Sequence, residues 1–234
     1  MYAQENRQFQ SYQVDEAPVS QRMDFIRKVY SLFLMGVMVA VGGAWWGTTI
    51  EGITALRSIG LGPLIAVYFI AFFAMRHFRK TEYLNVLLML GFCLVSGCLV
   101  APLLLMALTD FPDGPAMIFN AFLTTAAVFG GLTVYVFTTG KDFSYLGGTL
   151  AILLTGVVVA MIVGMFFSPV ADMMSGVGFS MGMVVLMGGF VLYDTSRIVH
   201  KFRTDEYILA AIELYLDFVI MFQHILRILM NRRR

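Results

Sequence analysis

Charge is what this chain has least of. Asp, Glu, Lys and Arg make up 13% of its 234 residues, against about 25% in an ordinary soluble domain. Hydrophobic residues reach 59% and the mean hydropathy is +0.80. A soluble domain is excluded. The net charge is +1 and no basic stripe is interleaved with aromatics, so a nucleic-acid partner is excluded as well. Cysteine is nearly missing. Cys93 and Cys98 sit in one apolar run, on different faces of a helix, which argues against a local disulfide or a metal pair. The three histidines, His77, His200 and His224, stand apart, so no His-x-x-x-His ligand set exists. Lys201 is the last lysine and none lies inside an apolar run; a retinal Schiff base has nowhere to form. Nucleophile-elbow and phosphate-loop motifs are absent. No enzyme chemistry and no cofactor is expected.

What the chain does have is seven apolar runs of roughly 17–26 residues, each enough for a hydrocarbon core of about 30 Å. They are approximately Val29–Ile50, Ile59–Met75, Tyr83–Leu108, Ala116–Phe137, Phe143–Phe167, Met173–Tyr193 and Tyr207–Met230. The pattern predicts an all-α integral membrane protein in two parts. Residues 1–23, rich in Gln, Glu and Ser, read as a disordered cytoplasmic tail. Residues 24–234 read as a seven-helix transmembrane domain. Pro102 should bend the last turns of the third span. The sixth helix can run on through Ile198 and Val199. Gly43 with Gly47, and Gly178 with Gly182, are pairs suited to close helix approach in lipid.

Lys and Arg counts set the orientation. Arg22, Arg27 and Lys28 precede the first span; Arg76, Arg79 and Lys80, then Lys141, then Arg197, Lys201 and Arg203 follow at alternate connections. The other side carries Arg57 with Asp110, Asp113 and Asp172. The N-terminus is expected in the cytoplasm. Arg232, Arg233 and Arg234 conflict with this, and a full crossing of the last span is the favoured reading.

The last span is also where polar groups enter the apolar interior. Glu213, Asp217 and His224 fall within about 40° of one another at about 100° per residue, one stripe on a greasy helix. An Asp at the helix centre costs at least ~2.5–3.5 kcal/mol on insertion scales. Such a stripe has to face other helices or water. From a cytoplasmic start at Tyr207, Asp217 lies about 15 Å deep at ~1.5 Å per residue. Asp194 closes the preceding run near the same side, so the two aspartates are expected to meet. Two carboxyl groups in contact share a proton and titrate as a pair. Deprotonated, they suit a hard cation such as calcium. Arg76, at the end of the second span, is within reach as a counter-ion or snorkels to the interface. An intramembrane aspartyl protease also needs two aspartates, but Asp217 follows Leu214-Tyr215-Leu216 rather than Gly-x-Gly, with no Pro-Ala-Leu element beyond it.

Phe190-Val191-Leu192-Tyr193-Asp194-Thr195 and Leu214-Tyr215-Leu216-Asp217-Phe218-Val219, with the cluster from Met75-Arg76, resemble the Bax inhibitor-1 family, also called the transmembrane Bax inhibitor motif family. The likeness runs from about Arg22 onward, and the short tail and compact loops resemble its bacterial branch. That resemblance implies a central C-terminal helix surrounded by six others. It implies a pH-sensitive calcium leak in the bacterial inner membrane, in which Asp194 and Asp217 share a proton and Arg76 latches one of them. Some bacterial members are instead described as modulators of a membrane-bound AAA protease, and eukaryotic ones as suppressors of cell death. The chain departs from the family pattern in carrying Ile220 where an asparagine is common, and in the polar Glu213 and His224.

Overall fold

The computed structural model describes residues 13–77 and 82–233, leaving aside the side chains of residues 61, 76, 77 and 82. The helices are α1 (Val19–Gly47), α2 (Ile50–Ile59), α3 (Leu61–His77), α4 (Glu82–Asp110), α5 (Gly114–Thr139), α6 (Gly147–Gly164), α7 (Ser168–Ser175), α8 (Val177–His200) and α9 (Tyr207–Asn231). A single 3-10 turn, Ser144–Leu146, precedes α6. A backbone that crosses lipid has to satisfy its own N–H and C=O groups, and helices do this within one segment. Among the described residues the only β pairing is an isolated bridge between Gln13 and Arg203.

Among the described residues six helices are long and apolar enough to cross a membrane, and a bent pair, α2 with α3, whose axes meet at 87°, makes a seventh span if the two cross as one. Local chemistry accounts for the break. Thr49 caps α2 by accepting a hydrogen bond from the Gly52 N–H at 3.1 Å. Gly60 then ends the helix at φ +78°, a left-handed value that glycine adopts without steric cost. In the fifth apolar run α6 stops at Gly164, and the short α7, which begins just beyond that run, carries the chain across to α8. α8 begins later than its apolar run and continues to His200, through Ile198 and Val199. α4 continues past Pro102 to Asp110.

α9 is the central helix. It packs chiefly against α1, α4, α5 and α8, while α3 joins through α4 and α6 through α8. The expected ring of six is therefore two shells, four helices in contact and two behind them. Lipid tails are as apolar as leucine, so packing distance and interhelical hydrogen bonds, rather than exclusion from water, hold such helices together. A Cβ on Gly97 would lie 2.1 Å from the Ala40 carbonyl oxygen, and one on Gly43 would lie 2.4 Å from that of Leu94. α1 and α4 touch backbone to backbone there. Gly178 and Gly182, by contrast, meet nothing within 4 Å, so that pair serves no close approach. In the centre the Tyr215 hydroxyl donates to Ser96 Oγ at 2.8 Å and to the Cys93 carbonyl at 3.3 Å, tying α9 to α4.

The two ends of α9 lie at opposite ends of the bundle. Residue 13 pairs with Arg203, just before α9 starts. At the far end Arg233 forms an ion pair with Asp113 between α4 and α5, and Asn231 donates to the Ser175 carbonyl. The last helix runs the length of the bundle. Of the expected tail, residues 1–12 lie outside the described residues. Residues 13–23 depart from it: Val19 already begins α1, and Val14 is fully buried. The cause is partly local, because Phe25 and Val29 give the first turns of α1 a buried face.

Candidate functional site

α8 and α9 are antiparallel neighbours joined by a short turn at residues 201–206. Asp194 lies six residues before the end of α8 and Asp217 ten residues after the start of α9. By rise alone their Cα atoms would differ in depth by roughly 6 Å. Side-chain direction removes that offset. Every Cα–Cβ bond tilts toward its helix N-terminus, so Asp194 leans away from the turn and Asp217 leans back toward it. The two carboxyl groups come within hydrogen-bonding reach of each other. Both residues are 5% exposed. Two carboxyl groups hydrogen-bond only when one of them carries a proton. Among the described residues no N–H or hydroxyl group donates to Asp217 Oδ2.

Among the described residues, the counter-ion in contact with this pair is Arg197. Its Nη1 donates to Asp194 Oδ1 at 3.3 Å and to Glu213 Oε2 at 2.7 Å. The guanidinium therefore bridges α8 and α9 one turn nearer the connecting loop. Two rings hold it in place, Tyr193 at 5.3 Å and Phe202 at 4.5 Å from Cζ. Its side chain is 27% exposed, against 7% for Asp194, so the bridge stands nearer the surface and covers the buried aspartates behind it. Arg76 lies in the last turn of α3, and its side chain, where the latch was expected, is outside the described residues.

The remaining stripe residues separate. Glu213 joins the site through Arg197. His224 does not: it lies two turns beyond Asp217, about 10 Å along the axis, with its ring edge-on to Phe179 at 5.9 Å. It is buried, and its Nδ1 has no partner among the described residues.

A loop clamps the same end of α8. Asp142 accepts from the Ser144 N–H at 2.8 Å, from the Ser144 hydroxyl, and from Ser196 Oγ at 3.1 Å. Ser196 Oγ in turn accepts from the Phe143 N–H at 2.8 Å. The two hydrogen bonds from Ser144 hold the Asp142 carboxyl below its ordinary range, with smaller help from Ser196 and Lys201. A Cβ on Gly147 would meet the Tyr193 ring at 2.7 Å. The start of α6, just after the loop, thus rests directly on the residue that precedes Asp194.

Calcium takes six to eight oxygen ligands. The aspartate pair offers two carboxyl groups, and among the described residues no group of three or more His, Cys, Asp or Glu side chains is placed to hold a metal.

Comparison with known proteins places the whole arrangement. Residues 22–234 match the family model described as inhibitor of apoptosis-promoting Bax1. Mouse protein lifeguard 4 is 33% identical over 227 residues, covering 92% of this chain and 88% of the mouse protein. An uncharacterized protein of Campylobacter jejuni is 33% identical over 211 residues, 88% of this chain and 87% of its own length. Human Bax inhibitor 1 is 29% identical over 216 residues, 89% of this chain and 86% of the human one. With a family model spanning all the transmembrane helices and relatives aligned nearly end to end, the chain is a member of the Bax inhibitor-1 family of integral membrane proteins.

Proposed function

We propose that the protein is a pH-sensitive leak pathway for cations, calcium foremost, controlled by the Asp194–Asp217 pair. The observation that carries this reading is the burial of both carboxyl groups within hydrogen-bonding reach of each other between α8 and α9, behind the more exposed Arg197. Protonated once, the pair is a hydrogen-bonded unit that joins α8 to α9. When that proton leaves, two adjacent charges face each other in a medium that screens them poorly. Asp194 has Arg197 beside it. Asp217, which no N–H or hydroxyl among the described residues reaches at Oδ2, is left to a proton or to a cation.

The loops rich in Lys and Arg share an end with residue 13 and Arg203, and the positive-inside bias assigns that end to the cytoplasm. In a bacterial cytoplasmic membrane the Arg197 cover then faces inward, and the Arg233–Asp113 end faces out. Calcium entry into proteoliposomes, followed across pH for the wild type and Asp217→Asn, tests the reading. The wild type is expected to change its rate with pH and the variant to lose that dependence. Superimposable profiles in the two contradict it. A membrane-bound protease that co-purifies through the N-terminal segment, with no flux in any form, points instead to a regulatory docking protein.

A further inference from the structure

The first residues before α1 are fastened to the far end of α8, and the fastening runs straight to the guanidinium that covers the aspartates. The carbonyls at a helix C-terminus lack intrahelical donors. Here the N-terminal segment supplies donors at the end of α8 and in the turn that follows. Gln13 Nε2 donates to the His200 carbonyl at 3.1 Å, and the Val14 N–H donates to the Phe202 carbonyl at 2.9 Å. Gln13 pairs with Arg203 across the same antiparallel bridge. Val14 is fully buried, a turn closes with the Glu16 N–H on the Gln13 carbonyl, and Pro18 leads directly into α1. Phe202, whose backbone Val14 holds, is 3% exposed, and its ring lies 4.5 Å from the Arg197 guanidinium.

We propose that residues 13–18 are a cytoplasmic strap that holds the Phe202–Arg197 cover in place over the buried Asp194–Asp217 pair. While the strap is seated, Phe202 cannot leave the guanidinium, and Arg197 stays across Asp194 and Glu213. When the strap lifts, the α8–α9 turn loses two donors and its buried valine, and the cover over Arg197 loosens. Water and cations then reach Asp194 from the cytoplasmic side. Because Pro18 ties the strap to α1, and α1 packs on α9, seating the strap also couples α1 to the α8–α9 turn. The segment thereby acts as a brake within the chain. The consequence for ion passage rests on the leak reading above; the consequence for access to the pair does not.

The test is a reversible lock. Residues directly opposed across an antiparallel bridge have Cα atoms about 4.5–5.5 Å apart, a span that a disulfide accepts. Gln13→Cys with Arg203→Cys is therefore expected to oxidise, and both native thiols are buried. A third substitution, Asp194→Cys, reports access through its rate of modification by a cationic methanethiosulfonate. Locking the strap is expected to slow that rate about tenfold, and reduction to restore it. Deleting residues 1–15 is expected to raise it above the unlocked rate. In the chain that keeps Asp194, the same lock should cut calcium flux several-fold, reversibly. Access that ignores both the lock and the deletion overturns the proposal. Access that follows the strap while no form passes calcium leaves the strap standing and removes the leak. The reversible lock guards against a deletion that merely fails to fold.

Discussion

α6 and α9 are both long apolar helices, and their surroundings are opposite. α9 carries Glu213, Asp217, Gln223 and His224, yet 61% of its apolar stretch is buried. α6 carries no charged residue, and only 6% of its stretch is buried. In water the greasier helix would be the inner one. In a bilayer the solvent is itself apolar, so the helix with polar groups is driven inside and the featureless one faces lipid. The centre of this protein is therefore where its chemistry is, and the periphery serves as wall.

Substitutions sharpen or break that contrast. The largest effect is expected where backbones touch. Gly97→Leu places atoms against the Ala40 carbonyl and should cost ~3 kcal/mol or more, read as loss of folded protein in detergent. Gly156→Leu on α6 meets open space and should be nearly silent; an equal loss at both sites would remove the distinction between centre and wall. Next comes the lipid face. Val159, 53% exposed on α6, changed to Asp should cost about 2.5–3.5 kcal/mol of insertion, measured by a glycosylation-based insertion assay. A third, smaller effect belongs to the centre. Tyr215→Phe removes the hydroxyl bonded to Ser96 and Cys93 and should cost ~1 kcal/mol, visible as a shifted unfolding midpoint.

The smallest effect is expected at Asp142, and its sign follows from its hydrogen bonds. A carboxyl whose folded-state pKa is depressed contributes stability above its ordinary value of about 3.9 and loses it as pH falls through the lowered one. The Ser144 bonds depress that of Asp142. The loop clamp is therefore complete at neutral and mildly acidic pH. Asp142→Asn should leave the pH profile of flux between pH 5 and 8 in place. A displaced midpoint there would move the sensor out of the membrane and into the loop.

Much of this was legible in the amino-acid sequence, for reasons that can be located. Spans are legible because lipid admits few alternatives to a closed helix. Asp194 and Asp217 are legible because a carboxyl at that depth demands an explanation. Arg197 was not picked out. It reads as one more positive charge at a cytoplasmic end, although its i,i+3 spacing from Asp194, between Tyr193 and Phe202, was a signal available to be used. The strap had no signal, since a backbone bridge from Val14 to Phe202 leaves no mark on side-chain identity. α2 falls between the first two apolar runs, where only a connection was expected, and the break that separates it from α3 hangs on the dihedral of Gly60. Glycine spacing alone misled: Gly178 and Gly182 have the right interval and no neighbour, while Gly97, in no such pair, makes the tightest contact between α1 and α4.

The central claim is that Asp194 and Asp217 act as one titrating unit. The direct measurement is calcium flux across pH in proteoliposomes for the wild type, Asp194→Asn, Asp217→Asn and the double variant. Groups that work as a unit are non-additive. Either single change is expected to abolish the pH response, and the second to add nothing. Single variants that keep a wild-type midpoint, or a double variant whose effect is the product of the two singles, would show the carboxyl groups to be independent and contradict the account.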